Sequence, residues 1–189
     1  LELQREGGFQ EIVLLDISPR IIDHVAQARA RAIKNVGYTL NLPLPVTTPW
    51  QPAVRAYWQT FGDQIGDPAQ ARTTKAIAGV AELRAVRARP SVVQRMSMLD
   101  VNIVTDRLDG QAFHLVITTN VFIYYDVFEQ ALAMSNVAAM LSPGGFLLAN
   151  FSAPPLNSIT IRPIDTTTSL YARAGNENIR DFIVWFRRD

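Results

Sequence analysis

The chain has 189 residues, 48% of them apolar and 19% charged, with a formal net charge of +1, the make-up of an ordinary globular domain with a sizeable core. That near-neutral balance gives no electrostatic case for nucleic acid or an anionic membrane, and no apolar run approaches the roughly 20 residues that a membrane helix needs. With no Cys there is no disulfide framework and no thiolate metal site, so the expected setting is cytoplasmic; the oligomeric state is left open.

In chain order, Leu1 to Gly8 reads as the tail of a helix closed by Gly7-Gly8. Glu11 to Leu15 is a short apolar strand with Asp16 at its C-terminal end. Ser18 suits an N-cap and Pro19 a first helical turn. Ile22, Val25, Ala26, Arg29 and Ile33 then mark one helical face, ending before Gly37. Residues 38–95 form an insertion longer than a connector needs. Within it, proline-rich Asn41 to Pro52 reads as extended loop and Ala53 to Phe61 as a short helix. Gly62-Asp63 and Gly66-Asp67-Pro68 read as turns, and Ala69 to Ala88, rich in Ala and Arg, as a helix. Two roles stay open for its aromatics. Trp50, Tyr57 and Trp58 either wall a cap over a substrate or bury the insertion against the domain.

Val92 to Met96 is a helical or irregular lead-in, and β-branched Val101 to Thr105 reads as a strand followed by Asp106-Arg107-Leu108. Phe113 to Thr119 is a buried strand, then come Asn120 and Val121 and an aromatic connection from Phe122 to Tyr125. From Val127 to Leu141 apolar residues Phe128, Ala131, Leu132, Ala138 and Leu141 recur at helical spacing. Ser142-Pro143-Gly144-Gly145 ends that helix, and Phe146 to Ala149 is a second buried strand. Strand, helix, strand at this spacing is a right-handed crossover unit of an α/β fold. Beyond it, Ser158 to Ile164 alternates like a strand until Pro163. Ser169 to Ala174 and Asp181 to Phe186 read as a strand pair joined through Gly175-Asn176.

The string Asn120-Val121-Phe122-Ile123-Tyr124-Tyr125-Asp126, a helix, then Leu-Ser-Pro-Gly-Gly and a closing strand resembles the class I S-adenosylmethionine-dependent methyltransferases. Within that group it is most similar to the chemotaxis-receptor-type pattern Asn-Val-x-Ile-Tyr-Phe/Tyr-Asp. The resemblance covers residues 9–34 and 98–150. It implies a Rossmann-like, mostly parallel sheet with an antiparallel C-terminal strand pair, interrupted after the second strand by the long, partly helical insertion, which does not follow the family pattern. It also implies one methyltransferase domain over residues 1–189, incomplete because the first strand and its glycine loop are missing. Gly7-Gly8 is not that loop, since it lies too close to Asp16 and follows a helix. Strands near 11–15, 101–105, 113–119 and 146–150 are then expected parallel in one sheet, with 181–186 antiparallel at an edge. The strands at 11–15 and 113–119 should not pair, because the missing strand belongs between them.

The implied cofactor is S-adenosylmethionine. By resemblance, Asp16, with Ile17 beside it, holds the ribose hydroxyls, and Asp106 and Arg107 the adenine side of an enzyme acting on a small molecule. The residues alone also allow an exposed Asp16 before an N-cap and a surface salt bridge between Asp106 and Arg107. Asn120 and Val121 take the methionine end, and Tyr124 and Tyr125 shape the passage to the methyl group. No catalytic residue is assigned, because a sulfonium methyl is already activated and the protein chiefly holds donor and acceptor in line. Two other classes remain. A nicotinamide-dependent oxidoreductase would use the same ribose acid, but Tyr-x-x-x-Lys is lacking; the third class is a non-catalytic α/β binding module. His24 and His114 lack metal-ligand spacing, so no metal is expected.

Overall fold

The computed structural model describes residues 11–44, 50–70, 82–152, 160–174 and 177–189. Leu1 to Gly8 and the Gly175-Asn176 turn lie outside them. The chain divides into two compact units, Leu1–Asp100 with Tyr171–Ile179, and Val101–Leu170 with Arg180–Asp189.

In the first unit, β1 (Ile12–Asp16) pairs in parallel with β5 (Met96–Asp100), from Ile12 opposite Met96 to Asp16 opposite Asp100. The strand expected at Val101–Thr105 therefore lies five residues earlier, at Met96–Asp100. Residues 103–105 form a turn instead. The Asn102 side chain accepts from the Val104 N–H at 3.0 Å, and the Asn136 amide donates to the carbonyls of Ile103 and Val104. Local side-chain bonds thus replace the ladder that β-branched residues alone suggest.

Helix α1 (Pro19–Ile33) starts after an extended Ser18 with Pro in its first turn. Its buried residues are Ala28 and Ala32, with Ile22 and Val25 half-buried, whereas Ala26, Arg29 and Ile33 face solvent. The face is rotated from the expected one because α1 meets its neighbours through its smallest side chains. Ala28 and Ala32 cluster with Ala88 and Val93, and Tyr38, Leu40 and Met96 pack around them.

The insertion is richer in strands than expected. β2 (Tyr38–Leu44), β3 (Gly66–Pro68) and β4 (Glu82–Ala88) form an antiparallel sheet in the order β2-β4-β3, with α2 (Pro52–Ile65) and α3 (Pro90–Gln94). So Asn41–Leu44 is strand, not loop. Pro43 is tolerated because β2 is an edge strand. Gly62-Asp63 continues α2, and Gly66-Asp67-Pro68 is a short strand rather than a turn. Of the helix expected over Ala69–Ala88, residues 71–81 lie outside the described part and Glu82–Ala88 is the central strand, paired on both sides. Pairing on two sides overrides the helix propensity of its Ala, Leu and Arg.

In the second unit the sheet order is β6-β7-β9-β8, with β6 (Phe113–Thr118), β7 (Leu141–Ala149), β8 (Ile161–Ala174) and β9 (Glu177–Arg188). β6 and β7 are parallel, and β9 runs antiparallel to β7. β9 is thus internal, with β8 outside it, so 181–186 does not form the edge. The Ser142–Gly145 turn is a bulge inside β7, where the register jumps from Phe113–Leu141 to Leu115–Phe146. Gly144 has φ +76, and a Cβ on Gly145 would meet the carbonyl oxygens of Ser142, Phe113 and His114 at 2.9, 3.0 and 3.3 Å. Both positions therefore require glycine.

Helix α4 (Val127–Met140) buries Ala133, Met134, Val137, Ala138 and Met140, while Phe128 and Leu132 of the expected face are exposed. Its start is a full capping box. The Asp126 carboxylate accepts from the Glu129 N–H at 2.8 Å, and Glu129 accepts from the Asp126 N–H at 3.0 Å. Asp126→Ala should lower stability by about 0.5–2 kcal/mol in urea titration.

Among the described residues, β1 pairs only with β5 and β6 only with β7. The four parallel strands expected in one sheet thus fall into two hydrogen-bonded pairs, and β1 and β6 are not paired. No helix among the described residues is long and apolar enough to cross a membrane.

Candidate functional site

The C-terminal ends of parallel strands are where open α/β sheets take ligands. In the first unit those ends carry two carboxylates side by side. Asp16 closes β1 and Asp100, its partner in register, closes β5. The Ser18 N–H donates to Asp16 Oδ1 at 2.8 Å, which fixes the carboxylate and leaves Oδ2 for another donor. Ile17, between them, is 62% exposed, and the positive end of α1 begins at Pro19. Two acceptors on adjacent strands suit a vicinal diol and an amino group, both donors.

Asp100 was not among the expected site residues. The signal was present, since Met96–Asp100 ends in an acid as Ile12–Asp16 does, but its Met and Ser lack the β-branched character that favoured Val101–Thr105. Asp106 lies six residues beyond the strand. Its N–H donates to the Asn102 carbonyl at 2.7 Å, and its Oδ2 accepts from the Thr105 hydroxyl at 2.7 Å. Arg107 pairs with Asp109 at 3.2 Å rather than with Asp106, at 53% and 87% side-chain exposure, a pair worth little. The Leu108 N–H meets Met140 Sδ.

The insertion is anchored away from those acids. Its sheet packs on Ala28 and Ala32 in the second half of α1 and on Met96, the first residue of β5. The Gln94 amide also donates to the Ala32 carbonyl at 2.9 Å. These contacts lie at the strand end opposite Asp16 and Asp100. Trp50, Tyr57 and Trp58 pack on one another and on Phe61, with ring centroids 5.5–6.3 Å apart. Trp58 also covers a small core of Leu42, Phe61, Ile65 and Val86. Of the three, Trp58 helps to bury the insertion's own core, whereas Tyr57 is 39% exposed.

In the second unit, β6 leads into Asn120, which takes a left-handed φ of +57, a conformation asparagine accepts more readily than most residues. The Asn120 N–H donates to Asn150 Oδ1 at 2.8 Å, and Asn150 Nδ2 donates to Asn120 Oδ1 at 2.7 Å. This reciprocal pair ties the end of β6 to the end of β7. Val121 is half-buried, Phe122 to Tyr124 form one 3-10 turn, Phe122 is fully buried, and Tyr124 is 78% exposed. Tyr125 is half-buried, its ring 6.1 Å from that of Phe122.

Thr118, two residues before Asn120, is 7% exposed, and its hydroxyl has no partner among the described residues. A buried, unpaired hydroxyl costs about 1–3 kcal/mol. Thr118→Val, which keeps the shape, should therefore raise the urea midpoint.

Among the described residues no cluster of His, Asp and Glu could hold a metal ion. No family model matches the sequence, and no curated protein matches it. Solved structures do. A SAM-dependent methyltransferase from Methanosarcina mazei is 10% identical, with 99% of this chain matched to 85% of that one at a TM-score of 0.52. The N-methyltransferase NodS of Bradyrhizobium japonicum WM9 is 14% identical over 94% of this chain and 73% of its own, at a TM-score of 0.44. In its complex with S-adenosyl-L-homocysteine, NodS is 16% identical over 50% of this chain and 55% of that one, at 0.39. That last match spans about half of the NodS chain. The Methanosarcina likeness shows the fold alone: this chain shares that of a SAM-dependent methyltransferase of known structure.

Proposed function

We propose that the two units are parts of one methyltransferase domain that uses S-adenosylmethionine to methylate a small molecule. The observation that carries this reading is Asp16, closing β1 with its carboxylate oriented by the Ser18 N–H, on a chain with this fold. Asp16, beside Ile17, accepts the ribose hydroxyls. The adenine contact passes from Asp106 and Arg107 to Asp100, because the strand that precedes it ends at Asp100. Asn120 and Val121 take the methionine end, and Tyr124 and Tyr125 flank the acceptor. S-adenosylmethionine, when bound, supplies a methyl group already activated on a sulfonium. The chain's residues orient it and exclude water.

Calorimetric titration with S-adenosylmethionine and with NADH tests this, on this chain and on any longer product of its gene that adds the glycine loop expected before β1. Binding of S-adenosylmethionine alone is the expected result. Binding of NADH alone would make the protein an oxidoreductase, and silence to both would make it a binding module.

A further inference from the structure

The loop from Asn120 to Tyr125 is held at three points by groups outside it. Asn150 holds the entry through its reciprocal amide pair with Asn120. Phe122 is sealed in the core, with the Phe151 ring 4.9 Å away edge-to-face. Gln130 Nε2 holds the exit, donating to the carbonyls of Phe122 and Tyr125 at 3.1 Å each. Phe122 and Gln130 serve packing and turn closure. Asn150 differs, because it fixes the conformation of one residue, Asn120, whose φ of +57 sets the direction of the chain into Val121. Asn150 is itself 8% exposed, and the pair satisfies one donor and one acceptor of its side chain against the backbone N–H and the side-chain oxygen of Asn120. A buried side chain that holds both the backbone N–H and the side-chain oxygen of a residue at a strand end is the kind of support that keeps contacting groups in place.

We propose that Asn150 is a positioning residue for the amino-acid half of the cofactor, acting through Asn120 and Val121 without touching the ligand's nucleoside half. This rests on the methyltransferase reading above. S-adenosylhomocysteine and adenosine share the nucleoside and differ by the homocysteine, so the two probes separate the halves. Asn150→Ala should raise the dissociation constant for S-adenosylhomocysteine about tenfold, the size expected for loss of an oriented polar contact. It should leave that for adenosine unchanged. Asn150→Asp keeps the oxygen that accepts from the Asn120 N–H and should recover most of the loss. It also serves where the alanine variant does not fold. Thr118→Val, beside the pair but not in it, should leave the ratio of the two constants as it is. Equal weakening of both probes in Asn150→Ala, or of neither, would overturn the proposal while the methyltransferase reading stood. A wild-type protein, tested with its gene's longest product, that binds neither probe would remove that reading and this inference with it.

Discussion

Phe122→Ala is expected to destabilise the second unit by about 3–5 kcal/mol, the range for deleting a buried aromatic side chain. Phe122 is fully buried, and its ring packs edge-to-face on Phe151 at 4.9 Å. Phe151 in turn lies 6.1 Å from Phe186, which is 1% exposed on β9. The ring therefore links the loop after β6 to the segment after β7 and to β9. Removing it opens a cavity between segments pinned by ladders and by the Asn120–Asn150 pair, so collapse is limited and the cavity term is large. Phe122→Leu, which keeps most of the volume, should cost less than about 1.5 kcal/mol. Urea unfolding followed by tryptophan fluorescence would measure both, since Trp185 sits on β9. An alanine variant within about 1 kcal/mol of wild type would show that Phe122 is not sealed in a core.

The parts of the fold that were legible from sequence are those where local chemistry and tertiary packing agree. Asp126 and Glu129 mark the start of α4 at the spacing a capping box needs, and the box is there. Glycines 144 and 145 announce a break: Gly144 takes a φ of +76, and carbonyls crowd where a Gly145 side chain would stand. Ile12–Asp16, a short apolar run ending in an acid, is a strand with its acid at the C-terminal end. Legibility fails where partners distant in sequence decide. Glu82–Ala88 has helix-forming residues but lies between two strands. Val101–Thr105 is β-branched, yet Asn102 and Asn136 draw its backbone into a turn. Asn150 stands at the end of a strand with nothing local to mark it, because its meaning depends on a residue thirty positions earlier. Asp100 carried a local signal, an acid after an apolar run, that a more β-branched neighbour outweighed.

Asp16→Ala is expected to raise the dissociation constant for S-adenosylmethionine tenfold or more. A ribose diol offers two donors, and hydrogen bonds to a charged acceptor are worth roughly 1.5–3 kcal/mol each, against about 1.4 kcal/mol per tenfold in affinity. The Ser18 N–H already holds Oδ1, so the carboxylate is oriented before the ligand arrives and little of that energy is lost to ordering it. Asp16→Asn retains one acceptor oxygen without the charge and should fall between wild type and alanine. Asp126→Ala removes a carboxylate too, but one committed to the capping box, and it should lower stability while leaving affinity unchanged. Asp100→Ala tests the reassigned adenine contact, a single hydrogen bond, and should weaken binding by less than Asp16→Ala. Calorimetry on the four variants gives the order directly. An Asp16→Ala protein that binds as tightly as wild type would mean that the acid at the end of β1 does not hold the ribose, and would return Asp16 to a plain helix-entry role beside Ser18.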